Sequence, residues 1–260
     1  MFENLWNSYV AVTPSAKKIH ALLGSTQHKD VINDHIALRT FNSSNVNLDV
    51  LAAHFINLGY TECGEYHFVA KKLYSKHFEH PDPTEPKVFI SELLTEQFSP
   101  ELQAIVKKMT ANIDEATTTA DNFLYSGTHW DIDFSTYQIL LEESEFAAWV
   151  AAWGYRANHF TVSHNYLPNF DSIEAVNEVV KKAGFALNTS GGEIKGTASQ
   201  MLEQSSTLAD HHPVKFSDGV KEIPSCFYEF ARRYKKPDGN LFTGFIAESA
   251  DKIFESTNAR

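Results

Sequence analysis

Apolar residues recur along the chain in two rhythms, one helical and one alternating, and these predict most of its elements. The helical spacing of Phe2, Leu5, Trp6 and Val10 predicts a short helix over 2–11. Thr13-Pro14-Ser15 restarts a second helix through Leu23, ended by Gly24. Alternation bounded by polar residues predicts a strand over 33–41. A helix over 47–58 closed by Gly59 follows, then strands near 66–71 and 87–94, and a helix opened by Ser99-Pro100. The polar, Thr-rich run 113–122 reads as a connection. Beyond it the pattern predicts a long helix over 135–153 ended by Gly154, a strand over 157–163 and a helix over 172–183 ended by Gly184. Short strands and loops fill 185–219, with turns at Gly191-Gly192 and Asp218-Gly219; a strand over 225–233 and a helix over 240–256 close the chain.

The pattern repeats itself. His35-Ile-Ala-Leu-Arg39 leads through a loop to a helix, Gly59 and Tyr60; His159-Phe-Thr-Val-Ser163 leads likewise to a helix, Gly184 and Phe185. Each copy later carries a glutamate inside an apolar strand, Glu92 in the first and Glu229 in the second. A strand, a helix and several strands, twice over, make a duplicated βαβββ pattern of the α+β class. It divides one catalytic unit, 1–260, into module one at about 33–112, a linker at about 113–134 and module two at about 135–234, with the C-terminal helix 240–256 outside both.

Strand parity then sorts the polar residues. Residues two apart share a face, so His35, Ala37 and Arg39 lie opposite Ile36 and Leu38, and His159, Thr161 and Ser163 lie opposite Phe160 and Val162. The apolar faces can pack on helices, and two polar faces turned toward each other would form a cavity with a histidine from each side. Glu229, between Tyr228 and Phe230, is costly to bury unless it is paired or bound to a metal. Two imidazoles and a carboxylate form the facial ligand set of non-haem Fe(II) oxygenases, although Zn(II) or Mn(II) would also suit it. The guanidinium of Arg39 can grip a carboxylate through paired hydrogen bonds.

Composition narrows the partners. A formal net charge of −11 opposes nucleic-acid and anionic-membrane binding. No stretch is long enough to span a bilayer, and the start of the chain, with Glu3, lacks the form of a secretory signal. The two cysteines, Cys63 and Cys226, form no CxxC pair, so the expectation is a soluble protein of the reducing cytoplasm.

The segments DHIALRTF (34–41), ANHFTV (157–162), EIKGTASQMLEQSSTLAD (193–210), FYEFARR (227–233) and ADKIFEST (250–257) resemble the 2-oxoadipate dioxygenase/decarboxylase family, also called hydroxyglutarate synthase. That family belongs to the vicinal-oxygen-chelate superfamily, whose paired βαβββ modules form a curved mixed sheet around a metal cavity. The resemblance implies an iron triad of His35, His159 and Glu229, with Arg39 as the substrate-binding arginine. It also implies conversion of 2-oxoadipate and dioxygen to 2-hydroxyglutarate and CO2, as in lysine catabolism. Fe(II) is the expected metal, and Zn, Mn or Ni could replace it in a purified sample. Two other readings keep the site: a Zn- or Mn-dependent hydrolase, lyase or isomerase of the superfamily, or a non-catalytic metal- or ligand-binding module.

Other residues carry weaker expectations. Thr161, Gln204, Ser205 and Ser206 are candidates to line the pocket, the last three by resemblance, and neither serine sits in the GxSxG context of a hydrolase nucleophile. Glu92, as the repeat counterpart of Glu229, is expected to be structural. His164 should point away from the site, His211-His212 should lie in a loop, and His67, His77 and His80 should be at the surface. Gly191-Gly192 reads as a turn rather than a phosphate cradle.

Overall fold

A computed structural model describes residues 1–24 and 31–258. Its centre is an eight-stranded sheet built from two similar halves. In the first half, β1 (Asn33–Phe41) leads to helix α3 (Leu48–Ile56) and then to β2 (Thr61–Phe68), β3 (Leu73–Glu79) and β4 (Lys87–Leu93). In the second, β5 (Ala157–Ser163) leads to α8 (Ile173–Lys182), β6 (Lys195–Thr197), β7 (Leu202–Ser206) and β10 (Phe227–Arg233). The strand order β2-β3-β4-β1-β5-β10-β7-β6 is the same sequence of roles read outward from the middle. β1 and β4 are parallel, β5 and β10 are parallel, and β1 meets β5 antiparallel at the centre. A hairpin of β8 (His211–Phe216) and β9 (Gly219–Pro224) is inserted before β10.

The two crossover helices start by the same device. Asn47 Oδ1 accepts the Val50 N–H at 3.1 Å, and Ser172 Oγ accepts the Ala175 N–H at 3.3 Å. Each thereby satisfies a donor that the first helical turn leaves free. Leu48, Leu51, Ala52 and Phe55 bury one face of α3, and Ile173, Val176 and Val180 one face of α8. The chain turns after each helix at a glycine with positive φ, Gly59 and Gly184. Helix α1 (Phe2–Val10) covers the central seam, where Trp6 and Tyr9 lie 5.1 and 5.0 Å from the Phe160 ring. Helix α2 (Pro14–Gly24) packs beside it.

Several elements differ from the sequence expectation. The predicted strand 66–71 is the end of β2 followed by a 3-10 turn over Val69–Lys71, and β3 was not anticipated. Helix α4 (Pro100–Thr110) opens at Ser99-Pro100 as expected, but the run 113–122, read as a connection, holds the short α5 (Glu115–Thr118). The long helix over 135–153 is two helices, α6 (Phe134–Glu143) and α7 (Glu145–Trp153). Ser144 is extended between them, and its hydroxyl accepts the Ala147 N–H at 3.1 Å to start α7. The C-terminal helix is shorter than expected, with α9 over Ala247–Ile253 and a 3-10 turn over Phe254–Thr257. His211 and His212 lie in β8 rather than a loop. His77 is buried rather than at the surface, with Nδ1 against the Tyr66 hydroxyl and Nε2 against Glu79. Among the described residues no helix is long and apolar enough to cross a membrane.

Candidate metal centre

Register at the seam brings the polar faces together. Ala37 pairs with His159, and His35 with Thr161, across β1 and β5; Glu229 pairs with Thr161 across β5 and β10. His35, His159 and Glu229 are all buried, and their ligand atoms lie within 4.8 Å of one another. Glu229 Oε1 is 3.6 Å from His35 Nε2, and Oε2 is 3.1 Å from His159 Nε2.

The proton positions in this cluster follow from its partners. Asp34 Oδ1 sits 2.8 Å from His35 Nδ1, and Arg233 grips the same carboxylate through Nε at 2.7 Å and Nη2 at 2.9 Å. Burial alone would raise the Asp34 carboxyl, but the Arg233 charge and the bonds to His35 and Arg233 outweigh it and hold it well below the usual carboxylate range. An ionised Asp34 can only accept, so His35 carries a proton on Nδ1, and Nε2 is the ring nitrogen turned toward the cluster. The Thr161 hydroxyl donates to that nitrogen at 3.0 Å. His159 Nδ1 donates in the same way to Asn158 Oδ1 at 3.1 Å.

Burial lowers the His159 pKa more than its contact with Glu229 raises it, which favours the neutral ring. For Glu229, burial pushes the pKa up, but His35, His159 and the bond from Gln204 together bring it below the ordinary value. Gln204 Nε2 donates to Glu229 Oε1 at 2.7 Å, whereas Oε2 faces His159 Nε2 at 3.1 Å. In this fully buried site a positive charge, a ring proton or a cation, must lie between those two atoms. A divalent cation can be shared by both inner ring nitrogens and the carboxylate, so the donor set fits a metal.

Phe227 stacks on His159 at 4.5 Å, and Phe245 meets the His35 ring edge-on at 4.8 Å. The remaining space is a cavity of about 30 Å³, lined beside the triad by Ala37, Phe89, Gln204, Phe245, Ala250, Ile253 and Phe254. Arg39 lies buried further along β1. Its Nη1 reaches Glu145 at 3.2 Å and its Nη2 reaches Thr257 at 3.0 Å.

The structure sorts the remaining candidates. Thr161 and Gln204 touch the triad directly. Ser205 projects from the other face of β7, donating to Asn177 of α8 at 2.6 Å, so it does not line the cavity. Ser206 bonds Ser256 at 2.8 Å, beside the C-terminal turn. His164 is buried in the turn after β5, outside the cluster.

Glu92 is not the positional counterpart of Glu229. Glu229 pairs with Thr161, two residues after His159; the matching partner of Ala37, two after His35, is Phe89. Glu92 pairs with Thr40 and accepts the Leu48 N–H at 2.9 Å. Sequence reasoning missed Asp34, Arg233, Phe245 and Phe254. Only Asp34 offered a signal, as an acid next to a proposed ligand. A second grouping, Cys63, His77 and Glu79, also has ligand-type atoms close together, but both His77 nitrogens already have partners there.

The family model for 2-oxoadipate dioxygenase/decarboxylase matches residues 8–239. The chain belongs to this family. A chloroplastic 2-oxoadipate dioxygenase/decarboxylase of Arabidopsis thaliana is 35% identical over 96% of the chain and 74% of its own length. Hydroxyglutarate synthase from Oryza sativa, solved with 2-oxoadipate, superposes with a TM-score of 0.91 at 34% identity, covering 99% of this chain and 90% of that one. A structure from Shewanella frigidimarina, named as a hydrolase, matches with a TM-score of 0.91 at 63% identity, covering 95% and 96% of the two chains. For the fold alone, a glyoxalase-superfamily protein from Ralstonia eutropha has a TM-score of 0.77 at 22% identity, over 94% of this chain and 83% of that one. The curved sheet of paired βαβββ halves in this 2-oxoadipate dioxygenase/decarboxylase family member is of the vicinal-oxygen-chelate type.

Proposed function

We propose that this protein converts 2-oxoadipate and dioxygen to 2-hydroxyglutarate and CO2, using an Fe(II) ion held by His35, His159 and Glu229. The observation that carries the metal assignment is the buried meeting of two imidazole nitrogens and a carboxylate, with ligand atoms within 4.8 Å of one another. The names of its relatives supply the reaction. The ion, when bound, supplies a Lewis-acidic and redox-active centre for a 2-oxo acid and dioxygen.

The chain's own residues do the rest. Asp34 and Asn158 keep protons on the outer ring nitrogens of the histidines, so the inner nitrogens are free to ligate. Gln204 fixes the plane of the Glu229 carboxylate. Phe245, Phe89 and Phe254 line the cavity with apolar rings and Phe227 backs His159, which limits the water around a reactive centre. Arg39 is the receptor for a substrate carboxylate, because it is the buried cation on the same face of β1. Ser205 and Ser206 are bonded to Asn177 and Ser256, an arrangement that supports no nucleophile for a hydrolase.

The test is oxygen uptake by anaerobically purified, Fe(II)-loaded protein across a panel of 2-oxo acids. The expected result is uptake with 2-oxoadipate matched by CO2 release, and loss of both metal retention and uptake in His159→Ala and Glu229→Gln. Turnover without oxygen, or with Zn(II) and not Fe(II), would reject the reading.

A further inference from the structure

The cavity beside the triad holds about 30 Å³, room for one or two water molecules and not for a six-carbon diacid. A substrate must therefore displace something. Phe254 lines this cavity, and it also lines a surface cleft of about 300 Å³ together with Lys71, Lys72, Glu145 and Phe146. Phe254 thus borders both the cavity at the triad and a cleft bearing two lysines.

Arg39 sits at this boundary. Its guanidinium carbon is 5.7 Å from the Phe254 ring and 4.9 Å from the Phe146 ring. Its Nη1 is held by the Glu145 carboxylate at 3.2 Å, which itself faces the cleft with its side chain a quarter exposed. Its Nη2 is held by Thr257, three residues past Phe254, while Nε has no hydrogen-bond partner among the described residues. Lys71 pairs with Glu255 and lies 4.0 Å from Asp251, so the C-terminal turn is fastened to the cleft by ion pairs. Every cation at the passage, apart from Lys72, is answered by a carboxylate of the chain itself.

We propose that this cleft is the entrance for a 2-oxo dicarboxylate, that Phe254 is its gate, and that Glu145 is an internal stand-in for the substrate's distal carboxylate. The incoming carboxylate takes Arg39 from Glu145, and the turn carrying Phe254 and Thr257 shifts to admit the carbon chain. Glu145 then sets specificity as well as access. A monoacid has no distal carboxylate with which to take Arg39, so it leaves the Arg39–Glu145 pair in place, whereas a diacid replaces it. The proposal rests on the reading of Arg39 as the carboxylate receptor.

The test compares wild-type, Glu145→Gln and Phe254→Ala proteins, Fe(II)-loaded and anaerobic, binding 2-oxoadipate and the six-carbon 2-oxo monoacid by calorimetry and stopped-flow. Glutamine keeps an acceptor for Arg39 but removes the competing charge. Glu145→Gln should bind the diacid roughly two- to five-fold more tightly, the worth of a partly exposed ion pair, and leave monoacid binding unmoved. Phe254→Ala should speed association of both acids. Thermal melts check that each variant folds, and Glu145→Asp, which keeps the charge, should behave as wild type toward the diacid. Unchanged or weaker diacid binding in Glu145→Gln, an equal shift for the monoacid, or an unaltered association rate in Phe254→Ala would overturn the gate while wild-type binding still stood. Failure of the wild type to bind either acid would instead overturn the substrate reading, and the gate with it.

Discussion

Asp34 does two jobs with one carboxylate: it fixes the tautomer of His35 and neutralises the buried Arg233. Arg233 in turn donates to the carbonyls of Phe242 at 3.2 Å and Gly244 at 2.7 Å, which anchors the segment carrying Phe245 against His35. Replacing Asp34 with Asn leaves a buried arginine unpaired, at a cost of about 3–5 kcal/mol near neutral pH. The pH dependence has a definite sign. A carboxyl whose folded pKa is depressed contributes stability where the unfolded aspartate is ionised, above roughly pH 4, and loses it as pH falls through and below that point. Denaturant titrations of wild type and Asp34→Asn should therefore show a wide stability gap at pH 7 that narrows below about pH 4. A gap independent of pH would contradict the ion pair. None of this was legible from the sequence beyond an acid adjacent to a histidine, because Arg233 approaches only through the fold.

Glu92 shows how an element's register decides a residue's role. In sequence it looks like a repeat of Glu229; in β4 it stands on the helix side and accepts the Leu48 N–H at the start of α3. Glu92→Ala should cost about 1 kcal/mol, as for a lost helix cap, and leave metal stoichiometry unchanged. Loss of metal in that variant would restore it as a ligand candidate. The strands that carry the triad were legible because their outer faces are apolar and their crossover helices begin with Asn or Ser and end with Gly. β2 was misread because it is an edge strand with most residues exposed, so it lacks an apolar rhythm. β3 was missed because its buried positions include Ser75 and His77. The break between α6 and α7 was hidden by apolar residues on both sides, and only Ser144 marks it as a cap.

Across the whole molecule, the ligands are divided unequally. β1 of the first half supplies His35, while β5 and β10 of the second supply His159 and Glu229. The halves were visible in the sequence as recurring His and Gly. Their antiparallel meeting at β1 and β5 was not, since it depends on non-local strand pairing. Metal at 100 to 1,000 times its dissociation constant should raise the apparent unfolding free energy by about 3–4 kcal/mol. Calorimetry with and without a chelator measures this, and His159→Ala should abolish the difference. A difference that persisted in that variant would move the ion elsewhere.

The unequal division has a mechanical consequence at the seam. An ion gripped from both sides of the β1–β5 junction acts as a rivet between two halves of the sheet that share one line of backbone pairing there. Pulling the halves apart must tear out the rivet, so occupancy should tighten amide protection most strongly along residues 35–39 and 157–161 and least at the outer strands β2 and β6.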